Sequence, residues 1–178
     1  MKGWGGSIWC CALIFALTAC SGSTPPPEPT WAMAEKGIEL TFHADPSVNF
    51  YDGQPHTIAV CVFQLDDSSA YQKMLTYPSG VQKLLSGGTD LPANLAVDRF
   101  YLEPGATRQK VYDRAAGAKW VVIVAGYFSA PPEKAAVTKK IDFVVERSWL
   151  SFDKQAVIPT FQETVHLDQD GLRIGKKP

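Results

Sequence analysis

The chain has 178 residues and a formal charge of −1, from 17 basic and 18 acidic residues. This length is enough for one domain with a tail, and the balanced charge argues against a basic surface for nucleic acid. Apolar residues make up 46% and charged residues 20%, which is ordinary globular usage and excludes wholesale disorder. The 14 glycines and 13 prolines lie between apolar runs, so the composition favours short strands joined by turns over long helices.

The first 19 residues have the pattern of a bacterial export signal. Lys2 provides a positive charge, and residues 8–17 form an apolar core that is too short to cross a hydrocarbon layer of about 30 Å as a helix. The core ends in Leu17-Thr-Ala-Cys20, which resembles a lipobox. We expect cleavage before Cys20 and acylation of its thiol, which would attach the chain to lipid. An ordinary secretory signal that ends in cysteine by chance is the alternative.

The mature chain divides into a tether and a domain. Residues 20–36 contain the lipidated cysteine and a proline-rich stretch, which at ~3.1 Å per residue would hold the domain roughly 30–45 Å from the membrane; a linker of no defined length is the alternative. Ser21, where an aspartate would resemble an inner-membrane retention signal, favours the periplasmic face of the outer membrane. Residues 37–178 form the domain, and its one cysteine, Cys61, is predicted to be a buried small hydrophobe.

The first half of the domain alternates strands and turns before a helical stretch. Residues 37–43 alternate apolar and polar side chains, which indicates a half-buried strand. Residues 44–55 form a turn-rich loop with Asp52-Gly53 as its tight corner. Residues 57–65 are apolar on both faces and predict a central strand, whereas residues 68–86 predict two short helices capped by serines, Ser68 or Ser69 and then Ser79.

The second half is predicted to consist of strands only. Turn residues between short apolar runs indicate two hairpins, 96–103 with 107–112 across Pro104-Gly105, and 164–167 with 172–174. Residues 119–128 and residues 140–146 are each predicted to form a single strand. The count of about eight strands with a short helical insertion predicts a mainly β, two-sheet sandwich.

No motif for catalysis or for metal or cofactor binding stands out. His43, His56 and His166 lack metal-ligand spacing and are interpreted as surface or loop residues. There is no nucleophile elbow and no phosphate-cradling glycine loop in the sequence. We therefore expect no enzyme activity, no metal and no cofactor. Catalytic carboxylates pair in space rather than in sequence, so an anchored hydrolase stays as an alternative.

Several pieces together resemble a known family. They are the lipobox, the strand Gly37-Ile-Glu-Leu-Thr-Phe42, the loop with Asn49 and Asp52-Gly-Gln-Pro55, the strand Ile58-Ala-Val-Cys-Val-Phe-Gln-Leu65, and the turn Leu102-Glu-Pro-Gly105. In this order they resemble the TssJ family, the outer-membrane lipoproteins of the bacterial type VI secretion system. The resemblance covers roughly residues 17–175.

The resemblance implies a transthyretin-like sandwich with added helices and a structural role. Such a protein would anchor an envelope-spanning complex by binding the periplasmic C-terminal domain of the inner-membrane protein TssM, with TssL in the same complex. The loop between the first two strands is implicated in that contact, so the resemblance implies that partner-binding residues lie within 49–53, namely Asn49, Phe50, Tyr51, Asp52 and Gly53. The alternative is that Phe50 and Tyr51 fold back onto the sandwich.

A rival hypothesis belongs to a different class of protein. Aromatic side chains can form platforms for sugar rings, and Trp149 or Tyr127 could serve as one. The chain would then be a lipid-anchored, periplasmic glycan- or peptidoglycan-binding module.

Overall fold

The computed structural model describes residues 27–87, 91–147 and 154–175. Within these residues the chain forms ten strands and three short helices. Their bounds are β1 Ala34–Ala44, β2 Ile58–Leu65, α1 Ser69–Met74, α2 Pro78–Ser86, β3 Ala96–Leu102, β4 Thr107–Arg114, β5 Trp120–Ala125, α3 Pro132–Ala135, β6 Ala136–Lys140, β7 Val144–Arg147, β8 Lys154–Val157, β9 Phe161–Leu167 and β10 Leu172–Ile174.

Eight of the strands form the two four-stranded sheets of a sandwich, which confirms the predicted fold class. The first sheet has the order β10-β9-β1-β4 and the second has the order β3-β2-β5-β6. β1 pairs parallel with β9 and antiparallel with β4. β7 and β8 pair only with each other and form a separate two-stranded ribbon.

The main core lies between the two sheets. Ile38, Leu40 and Phe42 of β1 are fully buried there, and the edge of the Phe42 ring meets Phe100 of β3 with 5.0 Å between ring centres. The alternation that predicted a half-buried strand is therefore confirmed. The strand begins at Ala34, three residues before the predicted start at Gly37.

A second core lies between the second sheet and the helices. Cys61 and Phe63 of β2 are buried there against Tyr71 of α1 and Leu84 of α2. β2 is thus covered on both faces, as its uninterrupted apolar run predicts, and Cys61 is buried as expected. Burial raises the pKa of the Cys61 thiol, which makes this cysteine a packing residue and a poor nucleophile.

The helical insertion is confirmed, although its second start is not where the serine pattern places it. α1 follows Ser68, whose side chain makes no capping hydrogen bond. α2 begins at Pro78 with Tyr77 as its cap residue, rather than after a cap at Ser79. Proline is well suited to the first helical position because its fixed φ matches the helix and its missing N–H has no partner there.

The predicted hairpin across Pro104-Gly105 is wrong, because the two flanking strands belong to different sheets. β3 pairs with β2, whereas β4 pairs with β1. The turn exists, since Ala106 N–H donates to the Glu103 carbonyl over 3.0 Å, and it carries the chain from one sheet to the other. The same local turn fits a hairpin and a crossover, so the choice depends on what each strand packs against. The other predicted hairpin, β9 with β10, is confirmed.

Two predicted strands have different limits. The predicted strand at residues 140–146 overlaps β7 and only the last residue of β6, and of the alternating apolar residues 141, 143 and 145 only Ile141 is fully buried. The rest of β6 and the helix α3 before it were not predicted. The run at residues 119–128 ends as a strand at Ala125. Among the described residues, no helix is long and apolar enough to span a membrane.

Polar contacts close the sandwich where β3 and β4 separate. Asp98 on β3 pairs with Lys110 Nζ on β4 over 2.7 Å and accepts a hydrogen bond from Tyr112 Oη over 2.9 Å. Deeper inside, the buried Gln64 of β2 donates to the Asp113 carbonyl and accepts from Ala115 N–H. These contacts tie together two sheet edges that no backbone ladder joins.

Candidate functional site

The N-terminal segment that emerges from the tether is fixed against one end of the sandwich. Gly117 N–H donates to the Trp31 carbonyl over 2.7 Å, and the Arg114 guanidinium lies over the Trp31 ring at 5.5 Å. Trp31 packs on the main core and Arg114 is buried, which lowers the pKa of its guanidinium. Cys20, the predicted lipidation site, lies outside the described residues.

The loop between β1 and β2 ends in a tight two-residue turn, as the sequence predicts. Tyr51 and Gln54 exchange backbone hydrogen bonds of 3.1 and 3.2 Å. Asp52 and Gly53 between them have φ values of 50° and 78°. Positive φ at both central residues is the geometry of a type I′ turn, for which Asp-Gly is a preferred pair. The turn presents both residues to solvent.

Aromatic rings stack along this turn. Tyr51 lies between His56, with 3.8 Å between ring centres, and Phe128 from the segment after β5, with 4.0 Å. A ring nitrogen of His56, Nε2, lies 3.2 Å from the Tyr51 carbonyl oxygen. The stack fixes the Tyr51 ring against the rest of the loop, and it is half-buried. Of the two predicted aromatic anchors, Phe50 is left 41% exposed.

Asn49 is a buried residue whose side chain holds this loop in place. It is only 7% exposed and has a φ of 50°, a conformation that asparagine tolerates better than most residues. Its Oδ1 accepts a hydrogen bond from Phe128 N–H over 2.8 Å, and its Nδ2 lies 3.5 Å from the Thr57 carbonyl. Asn49 therefore holds the loop to the segment after β5, and the exposed surface comes from its neighbours.

Phe128 is a surface residue that sequence reasoning assigned to a buried strand. It is 70% exposed, the most exposed large hydrophobic side chain among the described residues. The available signal was its context, because Gly126 precedes it and Pro131-Pro132 follows it, and such residues punctuate loops. Phe50, Tyr51, Asp52, Gly53 and Phe128 together are called the aromatic loop surface below.

Two histidines outside this surface meet across the first sheet. His43 of β1 and His166 of β9 are register partners, and their rings stack with 5.4 Å between centres. His166 is buried, which corrects the expectation of a surface or loop histidine: neighbouring strands shield it. Burial and then the charge of Arg173 lower the pKa of His166. No group of three metal-ligating side chains occurs among the described residues.

The aromatic residues proposed as sugar platforms differ in their placement. Tyr127 packs against both cores, and burial followed by the charges of Asp168 and Asp170 raises its pKa. Because the ring is half-buried against the cores, only part of it is available to a sugar. Trp149 lies outside the described residues.

The tether and the aromatic loop surface lie at opposite ends of the sandwich. β1 begins at Ala34, so it includes the last three residues of the predicted tether, and it ends at Ala44, directly before the loop. Ten residue steps at ~3.3 Å place these ends roughly 33 Å apart. β5 runs antiparallel to β2, so Phe128 after its end reaches the same end of the molecule as the loop.

This geometry defines the class of the protein: a small β-sandwich with a helical cover on one sheet and an exposed aromatic loop at the end away from its N-terminal tether. The chain belongs to the type VI secretion lipoprotein family (VasD, EvfM, TssJ), whose family model matches residues 36–170. The resemblance seen in the sequence is thereby confirmed at the level of the family.

Solved structures share the fold at low sequence identity. Lip from Serratia marcescens, described as a membrane-bound component of the type VI secretion system, has a TM-score of 0.60 at 20% identity and covers 79% of this chain and 98% of its own. The lipoprotein TssJ1 from Pseudomonas aeruginosa has a TM-score of 0.52 at 17% identity, with 83% and 97% covered. A chain in a structure described as the TssM C-terminal domain from EAEC has a TM-score of 0.57 at 15% identity, with 79% and 98% covered. No curated protein gives a significant match.

Proposed function

We propose that the chain is a non-enzymatic outer-membrane lipoprotein that anchors the type VI secretion membrane complex by binding the periplasmic C-terminal domain of TssM. Residues 1–19 act as the signal peptide, Cys20 carries the lipid, residues up to 36 form the tether, and residues 37–178 form the binding domain. TssL belongs to the same complex. The domain faces the periplasm.

The observation that carries this proposal is the separation of the two ends of the molecule. A lipid anchor holds the tether end at the membrane, so the opposite end, with the aromatic loop surface, projects into the periplasm. A partner rooted in the inner membrane approaches from that side. The family match supports membership of the secretion system, and the match to a structure described by its TssM domain supports the choice of partner.

The aromatic loop surface has the properties of a protein-docking site. Phe50 and Phe128 are exposed apolar rings, and truncating buried aromatic anchors at an interface typically removes a large part of the binding free energy. Tyr51 and Asn49 contribute by fixing the loop in place, so little conformational entropy is lost on binding. Asp52 and Gly53 form the projecting turn between the strands and the partner.

The test is a binding measurement between the purified lipoprotein and the periplasmic domain of TssM. The double variant Phe50→Ala with Phe128→Ala removes the exposed rings. It keeps the hydrogen bond to Asn49 Oδ1, because the donor is the backbone N–H of residue 128. We expect its Kd to rise at least about tenfold, because two apolar anchors are lost. Calorimetry gives the Kd. Thermal unfolding is expected to change only slightly, because both rings are exposed and the only ring stack lost among the described residues is that of Phe128 on Tyr51.

A matched control removes two exposed apolar side chains elsewhere. Val97→Ala with Tyr101→Ala truncates residues of β3 that are exposed to a similar extent, and its Kd should equal that of the parent. Equal affinity of the loop variant and the parent would exclude the aromatic loop surface from the interface. Absence of any binding by the parent would exclude TssM as the direct partner.

A further inference from the structure

The ribbon formed by β7 and β8 presents apolar side chains that the sandwich does not cover. Phe143, directly before β7, is 38% exposed, and Val144 and Val145 are 48% and 42% exposed. Successive residues of a strand point to opposite faces, so neither face of β7 is packed against the rest of the described chain. Phe143 and Val145 therefore lie exposed on one face of the ribbon, and Val144 lies exposed on the other.

The same ribbon carries two basic residues directly opposite each other. Arg147 of β7 pairs in register with Lys154 of β8, next to Ala156 opposite Val145. Like charges in directly opposed positions destabilise a strand pair, and neither side chain forms an ion pair with a carboxylate among the described residues. A negatively charged partner would relieve this repulsion. One face of the ribbon therefore combines apolar and basic side chains.

The ribbon lies at the tether end of the sandwich. β6 ends at Lys140, opposite the start of β5, and leads into the ribbon, while β9 begins beside Ile38 in the first half of β1. Pro27, Glu28 and Thr30 of the tether line one groove together with residues 154–158 of β8 and its continuation. The chain thus leaves the domain alongside the ribbon.

The remaining tether is short. Residues 27–36 lie against the domain rather than extending from it. Only seven residue steps separate Cys20 from Pro27, and a fully extended chain of that length spans at most about 25 Å, less than the distance expected for a tether of residues 20–36. A lipid on Cys20 therefore restricts the ribbon to a thin layer next to the bilayer. A partner that occupied the ribbon instead of lipid would have to fit between the domain and the membrane surface.

We infer that the β7–β8 ribbon is a second membrane contact, in which Phe143, Val145 and the basic pair Arg147 and Lys154, which share one face, rest on an anionic phospholipid surface. Apolar side chains enter the boundary between headgroups and acyl chains, and basic side chains meet lipid phosphates. The inference rests on the proposed lipidation of Cys20. The contact orients the domain on its anchor and directs the aromatic loop surface away from the bilayer.

The test uses the full lipidated protein in vesicles of phosphatidylethanolamine and phosphatidylglycerol. An environment-sensitive fluorophore is attached to the cysteine of the Val145→Cys variant. The matched control carries the fluorophore in the Val111→Cys variant, because Val111 on β4 is exposed to a similar extent, 47%. Cys61 is buried, and the parent protein without an added cysteine gives the labelling background. We expect a blue-shifted emission and about twofold or greater quenching by spin-labelled lipids at position 145 relative to position 111.

Charge reversal separates the apolar and basic parts of the contact. Arg147→Glu with Lys154→Glu should weaken the quenching at position 145 on anionic vesicles and change it little on vesicles of phosphatidylcholine. Equal emission and equal quenching at positions 145 and 111 would overturn the inference while leaving the anchor intact. If the protein did not float with vesicles, the proposed lipid anchor would be contradicted, and the inference that rests on it would fail as well. The proposed binding to TssM has its own test in the binding measurement.

Discussion

Asp98 shows how a single side chain can replace a missing strand pairing. Burial by itself would raise the pKa of this carboxyl, but hydrogen bonds from Lys110 and Tyr112 and the charge of Lys110 outweigh it and hold the pKa below its usual range. In return, burial and the Asp98 carboxylate raise the pKa of Tyr112. The three groups join β3 to β4 where the chain crosses between sheets.

We predict that Asp98→Asn lowers the free energy of unfolding by about 1 kcal/mol at neutral pH, a modest value because the pair is partly exposed and screened by solvent. The folded pKa is depressed, so the contribution is present above the unfolded value and is lost as pH falls through the folded pKa. The two proteins should therefore converge in stability in strong acid. Urea unfolding across this pH range measures the difference.

Asp142→Asn serves as the control for that experiment. Asp142 is exposed, so its substitution should leave the unfolding free energy unchanged at every pH. A constant gap between Asp98→Asn and the parent down to strong acid would show that the ionised carboxylate is not the source of the stabilisation.

At the scale of elements, the helical insertion depends on one close backbone approach. Gly80 in α2 lies against the end of α1, and a Cβ at this position would meet the Met74 carbonyl oxygen at far less than contact distance. α2 covers the second core through Val81 and Leu84. Any side chain at residue 80 therefore separates the two helices or moves α2 off the sheet.

We predict that Gly80→Ala lowers the free energy of unfolding by about 3 kcal/mol, because backbone has to move to admit the methyl group. The control is Ser79→Ala, one residue earlier and exposed, which should change stability by less than about 0.5 kcal/mol. Thermal and urea unfolding both measure the effect. Equal stability of the two variants would mean that the helices can separate without loss.

The positions of strands that face a core could be predicted from the sequence, but which strands pair with each other could not. β1 and β2 were predicted correctly because alternation and continuous apolarity report burial directly. The pairing of β3 and β4 was predicted wrongly because a Pro-Gly turn fits both a hairpin and a crossover. β6 was missed except for its last residue, Lys140. The strand predicted at residues 140–146 was assigned to the sandwich because the exposed ribbon has the same alternation as a half-buried strand.

The candidate site divides in the same way. The Asp52-Gly53 turn follows from local chemistry and was predicted. The packing of Tyr51 against Phe128, and the bond from Phe128 N–H to Asn49, join residues almost 80 positions apart. No local pattern in the sequence predicts these contacts. That the strand ends before Phe128 could have been predicted from Gly126 and Pro131-Pro132.

At the scale of the whole molecule, the proposed membrane contact and the proposed partner-binding surface lie at opposite ends of the sandwich. The tether and the β7–β8 ribbon lie at one end, and the aromatic loop surface lies at the other. The sandwich between them acts as a rigid spacer, because two packed cores and the polar contacts of Gln64 and Asp98 hold its sheets together.

Cys20→Ser separates anchoring from folding. We predict that this variant is absent from the outer-membrane fraction, since no acyl chains are attached to it. Its thermal unfolding should match that of the parent in detergent, because Cys20 precedes the described fold. Cell fractionation followed by immunoblotting measures the first effect. Unchanged outer-membrane attachment would contradict lipidation at this residue.

The most direct test of the central claim is photocrosslinking in cells that assemble the secretion system. The photoreactive residue p-benzoylphenylalanine replaces Phe50 in the aromatic loop surface or, as a control, Tyr101 on β3, which is also exposed. The proposed function predicts an adduct with TssM from position 50 and none from position 101. Equal adducts from both positions, or an adduct with TssM from position 101 alone, would contradict it.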